Sequence, residues 1–342
     1  MTPTKVLYWI INYMPQWEAV SKEVASLRRG LQGTVDGALV GLNSKQRGFR
    51  LWGAEKHIPL PHGLPLYPLL KPYASRFDIN HLFASGGERL LTPIISRYNG
   101  VLTIAKDTSL RRFDRNRESL LRMQAIVIQG ERDREVLLQM GVRKEAIRLI
   151  RPGIPISPYR KAEGPFTLLF ASSPLRAEDF LSRGIYLMIH VAGLLPEVQF
   201  LLIWRKRHLA RLEQIVATAG VRNIRIASGL IDDMGQVYDQ VHASVLPGLE
   251  HRSFIPCPRI GLESLAHGKP LLVSNLVSIA GPVARARAGI AFDPSVASFR
   301  AAILQLQGDY SAYQANTQYY VEHEFSPSTH LELYRQLYQR VG

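Results

Sequence analysis

Short apolar or β-branched runs alternate with longer amphipathic stretches along the whole chain. One such stretch, Ala19–Leu31, has apolar residues at Val20, Val24 and Leu27, which is helical spacing. This alternation predicts an α/β architecture built on parallel sheets. In the first half, the runs predicted as strands are KVLYWII, DGALVGL, DINHLFA, GVLTIA, AIVIQ and AIRLI, and ERDREVLLQMGV is predicted as a further helix.

The same alternation restarts after residues 157–165, SPYRKAEGP, where polar residues, Pro and Gly indicate a linker. We therefore predict a first domain over residues 1–157 and a second over 165–324. A last helix, at about residues 325–342, is rich in Leu and Tyr and is expected to pack back on the first domain. In the second domain the predicted strands are FTLLFAS, VQFLLIWR, IRIASG, ASVLPG and PLLVSN, and the predicted helices are GIYLMIHVAGLL, HLARLEQIVATAG, MGQVYDQVH and PRIGLESLAHG.

Length and cysteine content narrow the class of protein. A chain of 342 residues suits two domains of about 150 residues each. The single cysteine, Cys257, excludes a disulfide framework and indicates a reducing compartment. No run approaches the roughly 20 apolar residues that span a bilayer, and the first residues read as a buried strand rather than a signal peptide. These features predict a cytoplasmic protein, with a peripheral membrane contact as an open alternative.

Charge is unevenly distributed along the chain. Residues 1–150 hold 23 Lys and Arg against 13 Asp and Glu, and the remainder holds 19 against 15. A basic first half suggests an anionic partner, although solubility alone explains it about as well. The arginines of residues 111–122 lack interleaved aromatics beyond Phe113, so no nucleic acid is expected. The proline-rich residues 58–73 suit either a membrane or lipid-linked acceptor contact or, as we favour, a loop packed on its own domain.

The most specific motif is the run SFIPCPRIGLESLAHGKPLLVS, residues 253–274. It resembles the donor-site helix of family 4 glycosyltransferases, which has the form GL..LEAMA.GKPVVVS. The resemblance continues in ARAGIAFDPSVASFRAAILQL and in AIVIQGERDREVLLQMGVRKEAIRLIRPGIP, so it covers about residues 95–310. It implies a GT-B fold, in which two Rossmann-like domains face a central cleft. It also implies a hexosyltransferase-like enzyme whose donor is a nucleotide sugar, with UDP- or GDP-sugars favoured.

The start of this helix suits phosphate binding on physical grounds. The first N–H groups of a helix lack intrahelical partners, and its positive dipole end attracts anions. We therefore assign the first turn, Pro258, Arg259, Ile260 and Gly261, to the donor site, with the N–H groups coming from the residues after Pro258 because proline has none. By resemblance, Glu263 accepts hydrogen bonds from the ribose hydroxyls of the donor nucleotide, which a carboxylate is suited to do. A solvated helix glutamate is the alternative.

One position departs from the family. Ile255 stands where the family's Glu-x7-Glu pattern has its first carboxylate, the one that contacts the transferred sugar. This departure leaves the identity of the donor open, and activity itself to a lesser degree. Ser253, Arg252 and Glu250 are candidates to cover part of that task, and we include Ser253 in the predicted donor site.

Three arginines are candidates to bind the donor diphosphate, and Arg183 and Arg176 are assigned as catalytic because they would stabilise charge on the leaving group. Arg183, followed by Gly184, occupies the position of the family's Lys-Gly, and Arg176 stands near the family's first cation. A guanidinium stays charged and binds a diphosphate bidentately. Arg205 ends the strand VQFLLIWR, and ligands of open α/β sheets bind beyond the carboxyl ends of strands. Ordinary surface arginines are the alternative, and Trp204 either flanks a base or packs in the core.

The acceptor is assigned to the first domain. The family's Gly-rich loop after the first strand is here NYMPQWEA, without glycine, and Trp17 and Glu18 from this loop are acceptor-side candidates. Ala105 replaces a family histidine, and the adjacent Lys106 is assigned as a polar catalytic group. His81, in the strand DINHLFA, is a further acceptor-side candidate, with a structural role as the more common alternative.

The chemistry implied is transfer of the sugar with retention of its anomeric configuration. No Asp-x-Asp and no His/Cys cluster with metal-ligand spacing occurs, so neither a metal nor a cofactor is predicted. The acceptor is a glycan, a lipid-linked molecule or a small molecule, as in cell-envelope or polysaccharide biosynthesis. Two alternatives stay open. One is a nucleotide-sugar-binding scaffold with an eroded site, and the other is a GT-B nucleotide-sugar epimerase, which Ala105 and Ile255 disfavour.

Overall fold

The computed structural model describes residues 3–11, 13–16, 18–41, 55–57, 67–84, 91–105, 116–174, 176–229 and 231–342, without the side chains of 55–57 and 67–70. The chain divides into two compact units. The first combines Met1–Gly153 with Pro327–Gly342, and the second is Ile154–Ser326.

The first unit alternates strands and helices. Its elements, apart from the C-terminal helix, are β1 (Thr4–Ile10), α1 (Ala19–Gly30), β2 (Val35–Gly41), β3 (Glu55–His57), α2 (Tyr67–Ala74), β4 (Ile79–Ala84), α3 (Thr92–Ile95), β5 (Gly100–Ile104), α4 (Arg117–Leu121), β6 (Ala125–Ile128), α5 (Arg132–Gln139) and β7 (Ile147–Leu149). Among the described residues, the strands form one parallel sheet in the order β3-β2-β1-β4-β5-β6-β7.

Local sequence explains the first βα turn. Residues Val6 to Ile10 of β1 are fully buried, as expected for a central parallel strand covered on both faces. Helix α1 begins after Glu18, whose carboxylate accepts a hydrogen bond from the backbone N–H of Ser21 at 2.8 Å. This cap satisfies one of the N–H groups that the helix start leaves unpaired.

The second unit repeats this plan. Its elements are β8 (Thr167–Phe170), α6 (Asp179–Ser182), α7 (Ile185–Leu194), β9 (Gln199–Trp204), α8 (Leu209–Thr218), β10 (Ile224–Ser228), α9 (Met234–Asp239), β11 (Ala243–Leu246), α10 (Arg259–Ala266), β12 (Leu271–Ser274), α11 (Ala280–Arg285), β13 (Gly289–Phe292), α12 (Val296–Gly308) and α13 (Tyr310–Glu324). In its described residues the strands pair in parallel in the order β10-β9-β8-β11-β12-β13.

The strand order of the second sheet reverses between β8 and β11, which are direct neighbours. In doubly wound sheets, ligands bind beyond the carboxyl ends of the strands at such a switch point. The large core around Phe170, Trp204 and Leu246 includes one face of the sheet. A smaller cluster packs helix α9 on the sheet; its members are Leu169 and Leu201 from the strands and Val237, Tyr238 and Val241 from α9 and the residues after it.

The C-terminal helix α14 (Pro327–Val341) belongs to the first unit. Its Tyr334, Leu337 and Tyr338 are buried in the core formed by β1, α1 and β4. The apolar and aromatic residues of the tail are therefore explained by burial against this sheet.

The predicted α/β architecture is confirmed, with parallel strands at every predicted run. Strands β3 and β13 and helices α2, α3, α4, α6, α11, α12 and α13 were not among the predicted elements. Helix α13 is rich in Tyr, Gln and Asn, and its few apolar positions give no amphipathic signal. None of the helices in the described part of the chain is long and apolar enough to cross a membrane.

Candidate functional site

The end of helix α6, which follows β8, is joined by hydrogen bonds to the loop that follows β11, at the switch point. The Ser182 carbonyl accepts from the backbone N–H of Leu249 at 2.8 Å and from the Ser253 hydroxyl at 2.5 Å. Gly184 has a φ of 74°, and a Cβ there would lie 1.8 Å from the Pro247 carbonyl oxygen. Only glycine permits this approach, so the Arg183-Gly184 pair is tied to the β11 loop.

Arg183, which ends helix α6, is fixed by two neighbouring side chains. Its Nη1 donates a hydrogen bond to the hydroxyl of Ser172, which follows β8. Its guanidinium lies over the ring of Phe254, 4.8 Å from the centroid. Burial lowers the pKa of this guanidinium, and the nearby Asp179 partly offsets the shift. An arginine stays protonated at neutral pH despite such shifts, so a half-buried positive charge faces the switch point.

Helix α10 starts in the loop that follows β11. Pro258 is its N-cap residue, and no described side chain caps the first turn. The helix lies close to the sheet because Gly261 is buried, and a Cβ there would meet Leu246 at 3.1 Å and Leu271 at 3.2 Å. The start of α10 therefore leaves backbone N–H groups available to an anion, while Gly261 serves packing.

Glu263 lies in the middle of α10 and is largely buried. One carboxylate oxygen accepts a hydrogen bond from Nε of Arg259 at 2.7 Å, and the other accepts from the Tyr238 hydroxyl at 3.3 Å. The side chains of Arg259 and Glu263 are 22% and 19% exposed. The Glu263 carboxylate is thus fixed by two hydrogen bonds and is largely shielded from solvent. This favours its role as a donor-binding residue over the alternative of a solvated helix glutamate.

Sequence reasoning missed Tyr238, which packs α9 against α10. Burial raises the pKa of its hydroxyl well above the usual value, and the charge of Glu263 raises it further. Its ring stacks on His267 with centroids 4.6 Å apart, and His267 hydrogen-bonds the backbone carbonyl of Glu263 at 2.7 Å. Tyr238 is 25 positions from Glu263, so neither helical spacing nor a short motif links them.

Ser253 and Ile260 hold positions inside the loop and the helix. Ser253 is 3% exposed, and its hydroxyl also contacts the backbone of Glu250, at 2.7 Å to the carbonyl and 3.0 Å to the N–H. These contacts give Ser253 a structural task in shaping the loop. Ile260 is half-buried and packs against both clusters of the second core. Their donor-binding roles stay predictions.

The other predicted cations are more exposed. Arg176 and Arg205 are both exposed, and the backbone N–H of Arg205 donates to the hydroxyl of Ser173 at 2.8 Å. Trp204 is fully buried, its indole N–H donates to the Arg207 carbonyl at 2.9 Å, and it therefore belongs to the core rather than flanking a base. The carboxyl end of β9 thus brings Arg205 beside the loop after β8.

In the first unit, His81 is fully buried. Its Nδ1 lies 2.6 Å from the Tyr338 hydroxyl and its Nε2 lies 2.7 Å from the Thr103 hydroxyl. Thr103 in turn lies 2.9 Å from the Tyr334 hydroxyl. Burial lowers the pKa of His81 well below its usual value. These contacts, which we name the His81 network, favour the structural alternative for this histidine.

The remaining acceptor-side predictions are only partly described. The Glu18 carboxylate caps α1 by accepting a hydrogen bond from the backbone N–H of Ser21. It also accepts one from the Ser21 hydroxyl, at 2.6 Å. Lys106 and Trp17 lie outside the described residues. Ala105, next to Lys106, is buried at the end of β5.

A separate cavity of about 750 Å³ opens near the amino ends of β8, β9 and β10. It contains none of the predicted donor residues, and we do not assign it to the donor site. The lining of the cavity includes Arg160, Lys161, Glu163, Thr167, Gln199, Arg225, Gln236 and Asp239.

Within the described ranges, no group of three or more His, Cys, Asp and Glu side chains is arranged to hold a metal ion.

These two doubly wound units define a GT-B fold, and comparison with solved structures bears this out. HepE from Anabaena, solved in complex with UDP, has a TM-score of 0.78 at 14% identity, over 98% of this chain and 100% of HepE. The sucrose-phosphate synthase of Thermosynechococcus elongatus has a TM-score of 0.77 at 13% identity, over 98% and 99% of the two chains. WaaG, a glycosyltransferase involved in lipopolysaccharide biosynthesis, has a TM-score of 0.71 at 15% identity, over 96% and 99%.

At these identities the likeness establishes the fold. No family model matches the chain, and no curated protein matches it.

Proposed function

We propose that this chain is a glycosyltransferase of the family 4 type that moves a sugar from a nucleotide-sugar donor held mainly by its second unit. The observation that carries this proposal is the position of Arg183. A half-buried guanidinium, fixed by Ser172 and Phe254 beside the β8–β11 switch point, has the charge and the place to bind a diphosphate. The uncapped start of α10 and the held carboxylate of Glu263 add two further groups suited to a nucleotide.

Each group then has a distinct task. Glu263 accepts hydrogen bonds from the ribose hydroxyls of the donor. Arg183 and the first N–H groups of α10 bind the diphosphate. Arg176 and Arg205, which are exposed, add positive charge at the rim, and Ser253 shapes the loop that carries the sugar.

Catalysis in this scheme is stabilisation of the leaving group. The bond between the anomeric carbon and the diphosphate oxygen breaks, and negative charge grows on that oxygen. A preorganised guanidinium and helix N–H groups stabilise such charge without reorganising during the reaction. We propose that transfer retains the anomeric configuration: an acceptor hydroxyl approaches from the leaving-group face, its oxygen bonds to the anomeric carbon, and its proton passes to the departing diphosphate oxygen. No divalent metal is assigned a role.

The acceptor side is assigned to the first unit, with Trp17 and Glu18 as the candidates left after His81 is placed in the core, and Lys106 is kept as a candidate catalytic group. We propose a glycan, lipid-linked or small-molecule acceptor and a cytoplasmic enzyme. The excess of Lys and Arg in residues 1–150 suits a peripheral contact with an anionic membrane.

The direct test is a thermal-shift panel of UDP-, GDP-, ADP- and CMP-sugars on the parent chain and on Glu263→Ala. We expect a UDP- or GDP-sugar to raise the melting temperature, because a ligand that binds only the folded state stabilises it. HepE has been solved with UDP and with UDP-glucose, so UDP-glucose is the first donor to examine. We expect the shift to be lost in Glu263→Ala.

Arg160→Ala is the control in the same unit, because Arg160 lines the separate cavity and lies outside the proposed site. No shift with any nucleotide sugar would contradict the proposal and would favour a chain whose donor site is eroded, to which the absence of a carboxylate at Ile255 already points.

A further inference from the structure

We propose that Tyr238 is a positioning residue for the donor. Its hydroxyl and the Arg259 guanidinium hold the two oxygens of the Glu263 carboxylate and so orient it toward the ribose hydroxyls. This inference rests on the proposed function, because it requires that Glu263 contacts the ribose.

The ring of Tyr238 is immobilised from two directions. It is 1% exposed and belongs to the cluster that packs α9 on the sheet. Its ring also stacks on His267, which is itself fixed by a 2.7 Å hydrogen bond to the Glu263 carbonyl. The hydroxyl therefore reaches α10 from a rigid base rather than from a mobile side chain.

That hydroxyl has two acceptors within reach. It lies 3.3 Å from Oε2 of Glu263 and 3.2 Å from the carbonyl of Ile260. A tyrosine has one proton to donate, and a charged carboxylate is the stronger acceptor. Because its pKa lies well above the usual value, Tyr238 keeps this proton at neutral pH.

Arg259 holds the opposite oxygen of the same carboxylate. Its Nε lies 2.7 Å from Oε1 of Glu263. A carboxylate held at one oxygen rotates about the bond that joins it to the side chain, whereas two donors on different oxygens fix its plane. The Glu263 side chain is 19% exposed, so the fixed carboxylate remains within reach of a ligand.

Tyr238→Phe isolates the hydroxyl, since it keeps the ring, its packing and its stacking on His267. The matched control is Tyr313→Phe, which removes a buried hydroxyl that accepts from Gln305 at 2.8 Å. Tyr313 lies in the same unit and outside the proposed site. Melting temperatures of all variants establish that they are folded.

The measurement is the dissociation constant of UDP and of 2′,3′-dideoxyuridine diphosphate, from calorimetric titration of the full chain. The ratio of the two constants reports the contacts made by the ribose hydroxyls. For the parent and Tyr313→Phe we expect a ratio of about 10 or more, as one or two good hydrogen bonds provide. For Glu263→Ala we expect a ratio near 1, and for Tyr238→Phe about 2 to 4.

The double variant Tyr238→Phe/Glu263→Ala completes the cycle. Because Tyr238 acts through Glu263, its substitution is expected to change neither the affinity for UDP nor the ratio once Glu263 is gone. A merely structural tyrosine would leave the ratio of the single variant at the parent value.

The outcomes separate this inference from the proposed function. A parental ratio in Tyr238→Phe, or failure of that variant to fold, overturns the positioning role even when Glu263→Ala lowers the ratio to 1. A parental ratio in Glu263→Ala overturns the ribose role of Glu263 and the inference with it. Where the thermal-shift panel selects a donor with another base, the ratio is measured with that nucleoside diphosphate and its 2′,3′-dideoxy form. Absence of binding by every nucleoside diphosphate overturns both the inference and the proposed function.

Discussion

The two units build similar sheets but treat their polar groups in opposite ways. In the first unit the His81 network closes on itself: every member is buried, and His81 uses both ring nitrogens on protein partners. In the second unit, Arg183 and Glu263 are half-buried. Arg183 lies beside the switch point, and Glu263 lies on helix α10 next to it. A closed and fully buried network leaves no capacity for a ligand, whereas half-buried charges stay partly accessible to one.

This contrast has a physical basis. A buried polar group costs free energy unless it is paired, so interior polar groups satisfy one another. A charge that is to meet a ligand keeps part of its hydrogen-bonding capacity for that ligand and is held by neighbours at the same time. Arg183 and Glu263 are held by neighbours and stay partly exposed, whereas His81 is fully buried.

The largest effect is expected at Gly184. The change Gly184→Ala places a methyl group 1.8 Å from the Pro247 carbonyl oxygen, in a residue with a φ of 74°. Strain and steric conflict together are expected to lower the free energy of unfolding by about 3 to 5 kcal/mol. Urea unfolding followed by circular dichroism measures this loss.

The control is Gly220→Ala, which has a φ of 66° but no described atom within 4 Å of the added Cβ. It should cost about 1 to 2 kcal/mol. Equal losses of unfolding free energy in the two variants would show that the close contact between Gly184 and the Pro247 carbonyl does not contribute to stability.

Next in size is Arg183→Ala. Removing one preorganised group that stabilises leaving-group charge is expected to lower kcat by about 100- to 1000-fold. The assay is release of nucleoside diphosphate from the donor found in the thermal-shift panel. The control, Arg211→Ala, removes another guanidinium over an aromatic ring, 5.6 Å from the centroid of Phe180. Parental turnover in a folded Arg183→Ala variant would remove Arg183 from the mechanism.

The third test uses pH on the first unit. Burial lowers the pKa of His330 to about 4, although a hydrogen bond to the Arg151 carbonyl opposes the shift. Between pH 6.5 and pH 4 the unfolded chain therefore holds a proton on this side chain that the folded chain lacks. Stability from this group is present above pH 6.5 and falls by about 2 to 3 kcal/mol as the pH drops to 4.

His330→Gln keeps a donor for the Arg151 carbonyl and removes the titration. Urea unfolding at several pH values should show a shallower loss of stability in this variant than in the parent. Identical pH dependence in the two chains would exclude His330 as its source.

The smallest expected effect is that of Tyr338→Phe, the counterpart of Tyr238→Phe. It leaves Nδ1 of His81 without its tyrosine partner and is expected to cost about 1 to 2 kcal/mol of stability. Nucleotide affinity should stay at the parental value because the His81 network belongs to the first unit. A large change in UDP affinity would instead connect this network to the donor site.

The resemblance to family 4 glycosyltransferases supplied the roles of Glu263 and Arg183 in the candidate site, and the local pattern supplied the helix start at Pro258. The helix start at Pro258 and the carboxylate at Glu263 lie within one helix, and Arg183 directly precedes a glycine that the turn requires. The tasks of Ser253 and Tyr238 were not predictable. Ser253 bonds the carbonyl of Ser182, 71 positions away, and Tyr238 meets Glu263 only because α9 packs beside α10.

The sequence by itself therefore determined the alternation of strands and helices, the parallel architecture and the positions of the charged groups that follow the strands. Those features arise from hydrophobic periodicity and from hydrogen bonds within a few residues. Tertiary structure alone decided which polar groups close on each other and which keep spare capacity. His81 meets Tyr338 across 257 positions, and such a pairing depends on strand order and on where the last helix docks. The physical reason is that burial, which decides the cost of leaving a polar group unpaired, is a property of the packed chain.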